Sequence, residues 1–291
     1  MEIVRAEKMG FCFGVQEAIK TAEEVAEEYK GKKIYILGML VHNKEVIKEL
    51  SDKGIEIIEE ENIDKLSSEN IVIVRAHGAR RDIYDKLNKS GAKIFDAACV
   101  FVKKSRNLIL EKEKEGKKII FVGDREHPEV IGIISYAENV EVVANIDELK
   151  KVKIESDKGY FLLAQTTLNK NSFEEIKNYL KENHENVEIA GTICGATYER
   201  QIAVEKLARA VDVVLVVGGY NSSNSKKLYG IAKAINERSY QIETKDDLKK
   251  EWIGSSDIVG ITAGASTPEK SIVEIEKLLK EERRDGKHGK F

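Results

Sequence analysis

A chain of 291 residues is too long for one small core and suits two or three lobes. An apolar share of 42% with 34% charged residues marks a water-soluble globular protein, and a net charge of −3 excludes the basic excess of a general nucleic-acid binder. No run approaches the roughly 18 consecutive apolar residues that a membrane span needs, and Met1 leads straight into the strand-like Glu2–Ala6 without a basic head, so the expected address is the cytoplasm.

Strand and helix signals then alternate. Val15, Ala18, Ile19, Ala22, Val25 and Tyr29 mark one face of a first helix, with Gly31 as its stop. Short, nearly continuous apolar runs, as in buried parallel strands, follow at Lys33–Leu37, Ile71–Arg75, Lys93–Phe95, Lys118–Val122, Gly159–Leu163, Val187–Ile189, Asp212–Val217 and Ile258–Thr262. Helical patterns separate them. Arg200–Ala210 sets Ile202, Val204, Leu207 and Ala208 on an apolar side. Leu228–Ile235 follows the same logic, as does Ser271–Leu279, capped by Thr267 and opened by Pro268. The alternation predicts α/β architecture with mainly parallel sheets, whose strand C-terminal ends share a rim where ligands bind.

Polar motifs fall on that rim. His42-Asn43 follows one strand, and Arg75-Ala76-His77-Gly78 ends the next. Gly123–Glu129 follows Lys118–Val122, and Gln165-Thr166-Thr167 follows Gly159–Leu163. Gly218–Ser225 and Ala263–Ser266 close the last pair. The chain has only two prolines, Pro128 and Pro268, and both stiffen these loops. No Gly-x-Gly-x-x-Gly follows the first strand and no P-loop is present, which argues against nicotinamide, flavin and ordinary nucleotide binding.

Cys12, Cys99 and Cys194 stand far apart at nearly equal separations, each in a run rich in Gly, Ala and Thr. The rhythm predicts three similar α/β lobes, each delivering one thiol to a shared centre: 1–98 with Cys12, 99–191 with Cys99 and 192–280 with Cys194. The charged segment 281–291 reads as a flexible tail. A lone Cys is commonly just a small buried hydrophobe. Here small neighbours and a following helix at Cys12 and Cys194 favour a thiolate. The close Cys pairs of structural zinc and the local spacing of ferredoxins are both absent. Three thiolates on one metal centre leave a coordination position open, where metals do chemistry; three thiols suit an iron–sulfur cluster with one differentiated iron, or a zinc with three Cys and one His. His42, His77 and His127 all lie at predicted strand ends, whereas His184 and His288 lie in charged segments. The Asn221–Ser225 loop and Ser266 offer hydroxyls, amides and backbone N–H groups to a phosphate. Glu129, held across Pro128 from His127, is a candidate proton donor.

Together these residues resemble the 4-hydroxy-3-methylbut-2-enyl diphosphate reductases of the non-mevalonate isoprenoid pathway. The resemblance spans almost the whole chain. It is carried by Gly-Phe-Cys-Phe-Gly-Val (10–15), Val-His-Asn (41–43), Ala-His-Gly (76–78), Asp-Ala-Ala-Cys (96–99) and His-Pro-Glu-Val (127–130). It continues through Gln-Thr-Thr-Leu (165–168), Thr-Ile-Cys with Ala-Thr and Arg-Gln (192–201), Asn-Ser-Ser-Asn-Ser (221–225) and Thr-Ala-Gly-Ala-Ser (262–266). The resemblance implies a trefoil of three α/β lobes around a [4Fe–4S] cluster held by Cys12, Cys99 and Cys194. It implies a substrate diphosphate held by His42, His77, His127, Ser222, Ser223, Asn224 and Ser266, with Thr166 and Glu129 serving the substrate hydroxyl and its proton delivery. It further implies a one-electron donor such as ferredoxin or flavodoxin, and a monomer is expected because no pairing surface is evident.

Four departures from the family pattern stand out: Ala98 and Val100 where Thr and Pro are usual, Glu126 where Gly is usual, and Gly195 where a larger residue is common. Lys104-Ser105-Arg106 also replaces a usual Val-His segment. These leave open a paralogous iron–sulfur reductase acting on another small substrate. A non-catalytic iron sensor would need neither Glu129 nor the full His/Ser/Asn set.

Overall fold

The computed structural model describes residues 1–288. β1 (Glu2–Arg5) leads to α1 (Phe13–Glu28). Then follow β2 (Ile34–Leu37), α2 (Lys44–Asp52), β3 (Ile55–Ile58), β4 (Ile71–Val74), α3 (Arg81–Ser90) and β5 (Lys93–Asp96). The next stretch holds α4 (Val100–Lys114), β6 (Lys118–Val122), α5 (Pro128–Ile134), β7 (Val140–Val143), α6 (Ile146–Leu149), β8 (Tyr160–Ala164), α7 (Lys170–Asn183) and β9 (Val187–Ile189). The last holds α8 (Gly195–Ala210), β10 (Val213–Val217), α9 (Ser223–Ile235), β11 (Ser239–Ile242), β12 (Ile258–Ala263) and α10 (Glu269–His288). Among the described residues no helix is long and apolar enough to cross a membrane.

The strands form three four-stranded parallel sheets that use one topology three times. The orders are β3-β2-β4-β5, β7-β6-β8-β9 and β11-β10-β12-β1. In each, the first strand of the lobe sits inside, the second goes to one edge, and the third and fourth extend the other way. Inner strands such as Ile71–Val74, Tyr160–Ala164 and Val213–Val217 are buried along their whole length, because crossover helices cover both faces.

By contacts the described chain falls into two compact units. One contains Met1–Phe13, His42–Val46 and Gly195 onward, and the other contains Gly14–Val41 and Ile47–Cys194. In the first, Ala203, Val204, Leu207 and Ala208 of α8 pack with Val214 and Val216 on one face of the sheet. Ile272, Ile275 and Leu279 of α10 pack with Leu215, Val259 and Ile261 on the other. In the second unit, Val102 and Ile109 of α4 join Ile119, Phe121, Phe161 and Leu163 in one cluster on the β6–β9 sheet. The opposite face of that sheet is filled by Phe173, Ile176 and Leu180 of α7.

Three features of the fold are not apparent in the local sequence pattern. β1 pairs in parallel with β12, so the N-terminal strand completes the sheet of β10, β11 and β12. It takes the place that β5 and β9 hold in theirs. The segment expected as a tail is helical through His288, since α10 does not stop at residue 280, and positions 289–291 lie outside the described residues. β3, β7 and β11, which the apolar runs do not reveal, are each an edge strand.

Candidate functional site

The three cysteines occupy equivalent places. Cys12 lies between β1 and α1, Cys99 between β5 and α4, and Cys194 between β9 and α8. Each follows the fourth strand of its lobe and immediately precedes a helix of 15 or 16 residues. All three are half-buried and none forms a disulfide. The thiolate is the form of cysteine that ligates metal. Each cysteine is also anchored alike, its backbone N–H donating to the loop after the third strand of its lobe. The acceptors are Ala265 O for Cys12 (3.0 Å), Ala76 O for Cys99 (2.9 Å) and Thr166 O for Cys194 (3.0 Å). Gly14 leaves room for a sulfur: a Cβ there would stand 2.5 Å from Cys99 Sγ.

In the second unit, α5 opens on His127-Pro128-Glu129. His127 caps the helix, its Nδ1 accepting from Glu129 N (3.1 Å), and Pro128 supplies the fixed φ of the first turn. Glu129 is only 2% exposed. Its two carboxylate oxygens accept from Thr166 at the end of β8, Oε1 from the backbone N–H (2.6 Å) and Oε2 from the hydroxyl (2.7 Å). The His77 ring, after β4, meets the His127 ring edge-on with centroids 5.3 Å apart. The structure therefore brings together His77, His127, Glu129 and Thr166 on the loops after β4, β6 and β8.

In the first unit, Ser222 caps α9 by accepting from Ser225 N (3.3 Å). Ser223 opens the helix, half-buried. Asn224 is buried, and neither its amide N nor its O has a hydrogen-bond partner. Ser266 Oγ, after β12, donates to His42 O (3.3 Å). Gly219 lies close enough that a Cβ would meet His42 O at 3.0 Å. The loop after β2 thus meets those after β10 and β12 at His42, which Ser266 bonds and Gly219 approaches, while Ser222 and Asn224 lie at the start of α9.

Several residues of the same motifs take supporting roles that the sequence does not reveal. Gln165, fully buried, accepts from Asp124 N and steadies the loop before His127. Thr192 Oγ1 ties the approach to Cys194 to Ala164 N and O, each at 2.7 Å. Asn43 Oδ1 caps α2 by accepting from Glu45 N and Val46 N. Arg75 donates from Nε to Gly78 O (3.2 Å) across the His77 turn, and burial lowers its pKa. Only a polar residue next to a strand end signals such roles in sequence. Of the departures, Ala98 is buried beside Gly78, while Val100 and Glu126 are exposed, and a Cβ at Gly195 would meet nothing within 4 Å.

Fold and candidate residues define a class: an α/β protein of three like parallel sheets that presents cysteines, histidines and a buried carboxylate at strand ends. The chain belongs to the LytB protein family, whose model matches residues 3–280. It is 49% identical over 284 residues to the 4-hydroxy-3-methylbut-2-enyl diphosphate reductase of Fusobacterium nucleatum subsp. nucleatum, covering 96% of this chain but 34% of that longer protein. It is 41% identical to the reductase of that name from Thermoanaerobacter sp., covering 96% of this chain and 97% of the relative. A solved structure of the E-1-hydroxy-2-methyl-but-2-enyl-4-diphosphate reductase from Plasmodium falciparum aligns with TM-score 0.90 at 32% identity, over 96% of this chain and 87% of that one.

Proposed function

We propose that this chain reduces 4-hydroxy-3-methylbut-2-enyl diphosphate to isopentenyl and dimethylallyl diphosphate, the substrate being the one its relatives are named for. The observation that carries the reading is the buried Glu129 carboxylate held on Thr166 beside the His127 cap. Family membership and the whole-length similarity support it.

Cys12, Cys99 and Cys194 would hold a [4Fe–4S] cluster. Three thiols, each at a helix N-terminus and none in a disulfide, suit a cluster that keeps one iron free of protein ligands. Bound there, the cluster supplies single electrons and a Lewis-acidic site for the substrate hydroxyl.

The residues of the chain do the rest. His42, His77, His127, Ser222, Ser223, Asn224 and Ser266 hold the diphosphate, and that remote binding energy orients the reacting end. The two unpartnered amide atoms of Asn224 are a buried polar group that lacks its partners until a ligand supplies them. When Glu129 is protonated, its hydroxyl donates to Thr166 Oγ1, and the Thr166 hydrogen turns outward toward the substrate hydroxyl. Two electrons and two protons enter, the allylic C–O bond breaks, water leaves, and a carbon takes the second proton. The electrons come from a ferredoxin- or flavodoxin-like carrier, and the protein works as a monomer in the reducing cytoplasm.

The test is an anaerobic assay with the C5 hydroxylated diphosphate and a strong one-electron reductant, with both products separated. Iron-loaded protein that releases neither product defeats the reading.

A further inference from the structure

We propose that Arg200 is a positioning residue that pins the Cys12 loop to the helix starting directly after Cys194. The proposal deepens the cluster reading and rests on it. Arg200 lies on α8, six positions beyond Cys194, and is 6% exposed. Its Nη1 donates to Ala196 O in the first turn of the same helix (2.7 Å). Its Nη2 donates to Gly10 O (2.7 Å) and to Phe11 O (3.1 Å), the two carbonyls just ahead of Cys12. The amides of the same loop are fixed from the other side, Gly10 N on Ala263 O (3.3 Å) and Cys12 N on Ala265 O (3.0 Å). Gly10 takes a positive φ of 72°, which turns its carbonyl toward the guanidinium.

A buried cation is costly unless its donors are used, and charge-assisted bonds to carbonyls are stronger than neutral ones. The rigid planar fork reaches α8 and the loop at once. A lysine has one ammonium and cannot hold both in that geometry. Arg200 therefore ties the Cys12 loop to the first turn of the helix that begins at Gly195. Groups that orient a ligand from behind are typically worth about 10–100-fold in metal affinity.

The experiment compares wild type with Arg200→Met and Arg200→Lys. In metal-free protein, iodoacetamide labelling of each cysteine is followed by peptide mass spectrometry. Labelling at Cys12 is expected to rise about tenfold in Arg200→Met while Cys99 keeps its rate, with Arg200→Lys in between. In anaerobically loaded protein, iron release to a chelator is expected to accelerate by about the same factor, with an altered electron paramagnetic resonance signal of the reduced cluster. Unchanged Cys12 labelling, or an equal rise at all three cysteines, overturns the proposal, the second outcome being general loosening. If Arg200→Met does not fold, Arg200→Lys is judged by the same two criteria. Wild type that takes up no iron defeats the cluster reading, and the labelling result still decides the role of Arg200.

Discussion

Glu129→Gln is the sharpest test of the proton path. The substitution preserves shape but removes the charge and the transferable proton. Glu129 now accepts two hydrogen bonds from Thr166, at 2.6 and 2.7 Å. An amide oxygen can keep the bond from Thr166 N, while the amide NH2 must donate to Thr166 Oγ1 and reverse that bond. Bonds to a charged acceptor contribute about 1.5–3 kcal/mol and neutral ones about 0.5–1.5. Two such exchanges cost about 1–3 kcal/mol of stability, so the fold survives with a lower melting temperature. Positioned acids contribute about 10²–10⁴-fold, so turnover is expected to fall at least about a hundredfold with full iron content. Thr166→Val removes the hydroxyl alone. If the proton passes through that hydroxyl, the double variant is little slower than either single one, because both break one relay. The assay is anaerobic turnover with iron measured on the same sample. Near-normal turnover in Glu129→Gln, or losses that multiply in the double variant, would refute the relay.

Asn224→Ala is expected to weaken inorganic diphosphate binding about tenfold by calorimetry. It should barely change the melting temperature, since the amide it removes has no partner in the protein. Gly14→Ala drives a Cβ to 2.5 Å from Cys99 Sγ, and overpacking of this kind costs about 1–3 kcal/mol; thermal unfolding and iron content should both fall. Acid stability has a readable local source in Asp257. Its carboxyl is held below the ordinary value by Arg238 and then by Gly254 N, which donates at 2.6 Å. A depressed folded pKa means the contribution is complete above the unfolded value of about 3.8 and is lost as pH falls through the folded one. Asp257→Asn should therefore flatten the melting-temperature profile below about pH 4, and an unchanged acid slope would count against this assignment.

The inner strands are legible in sequence because nothing but apolar side chains fits between two helical layers. The inner strand Lys118–Val122 matches the expected bounds to the residue, and so does Val187–Ile189 at an edge. The strands that the apolar runs leave out are edges with one exposed side. Ile55–Ile58 carries Glu56, Val140–Val143 carries Glu141, and Ser239–Ile242 has only one apolar end. Parallel register with a neighbour, not local pattern, makes them strands. The placement of β1 is hidden for the same reason, since four residues cannot announce a partner more than 250 positions away. Site residues are more legible than their supports. His77, His127, Glu129 and Thr166 are conspicuous chemistry at strand ends, but what Arg200 holds cannot be read until its carbonyl partners are known.

The repeated topology explains why so little of the site is lost with those edge strands. The loops after the first strand of each lobe carry His42, His127 and Ser222. Those after the third carry His77, Thr166 and Ser266. Those after the fourth carry Cys99, Cys194 and Cys12. The second strand, always at the far edge, contributes none of them. Identical positions carry identical chemistry only at the fourth strand. On the proposed reading this follows from the ligands: a cluster with one differentiated iron asks the same thing of all three lobes, a thiolate at a helix N-terminus. A substrate with a diphosphate at one end and a hydroxyl at the other is asymmetric, so the equivalent loops must differ. Exchanging chemistry between equivalent positions, as in His127→Ser to mimic Ser222, should thus keep the helix cap and the fold but weaken substrate binding. A substitution of that kind that left the KM unchanged would mean the histidine serves the helix rather than the ligand.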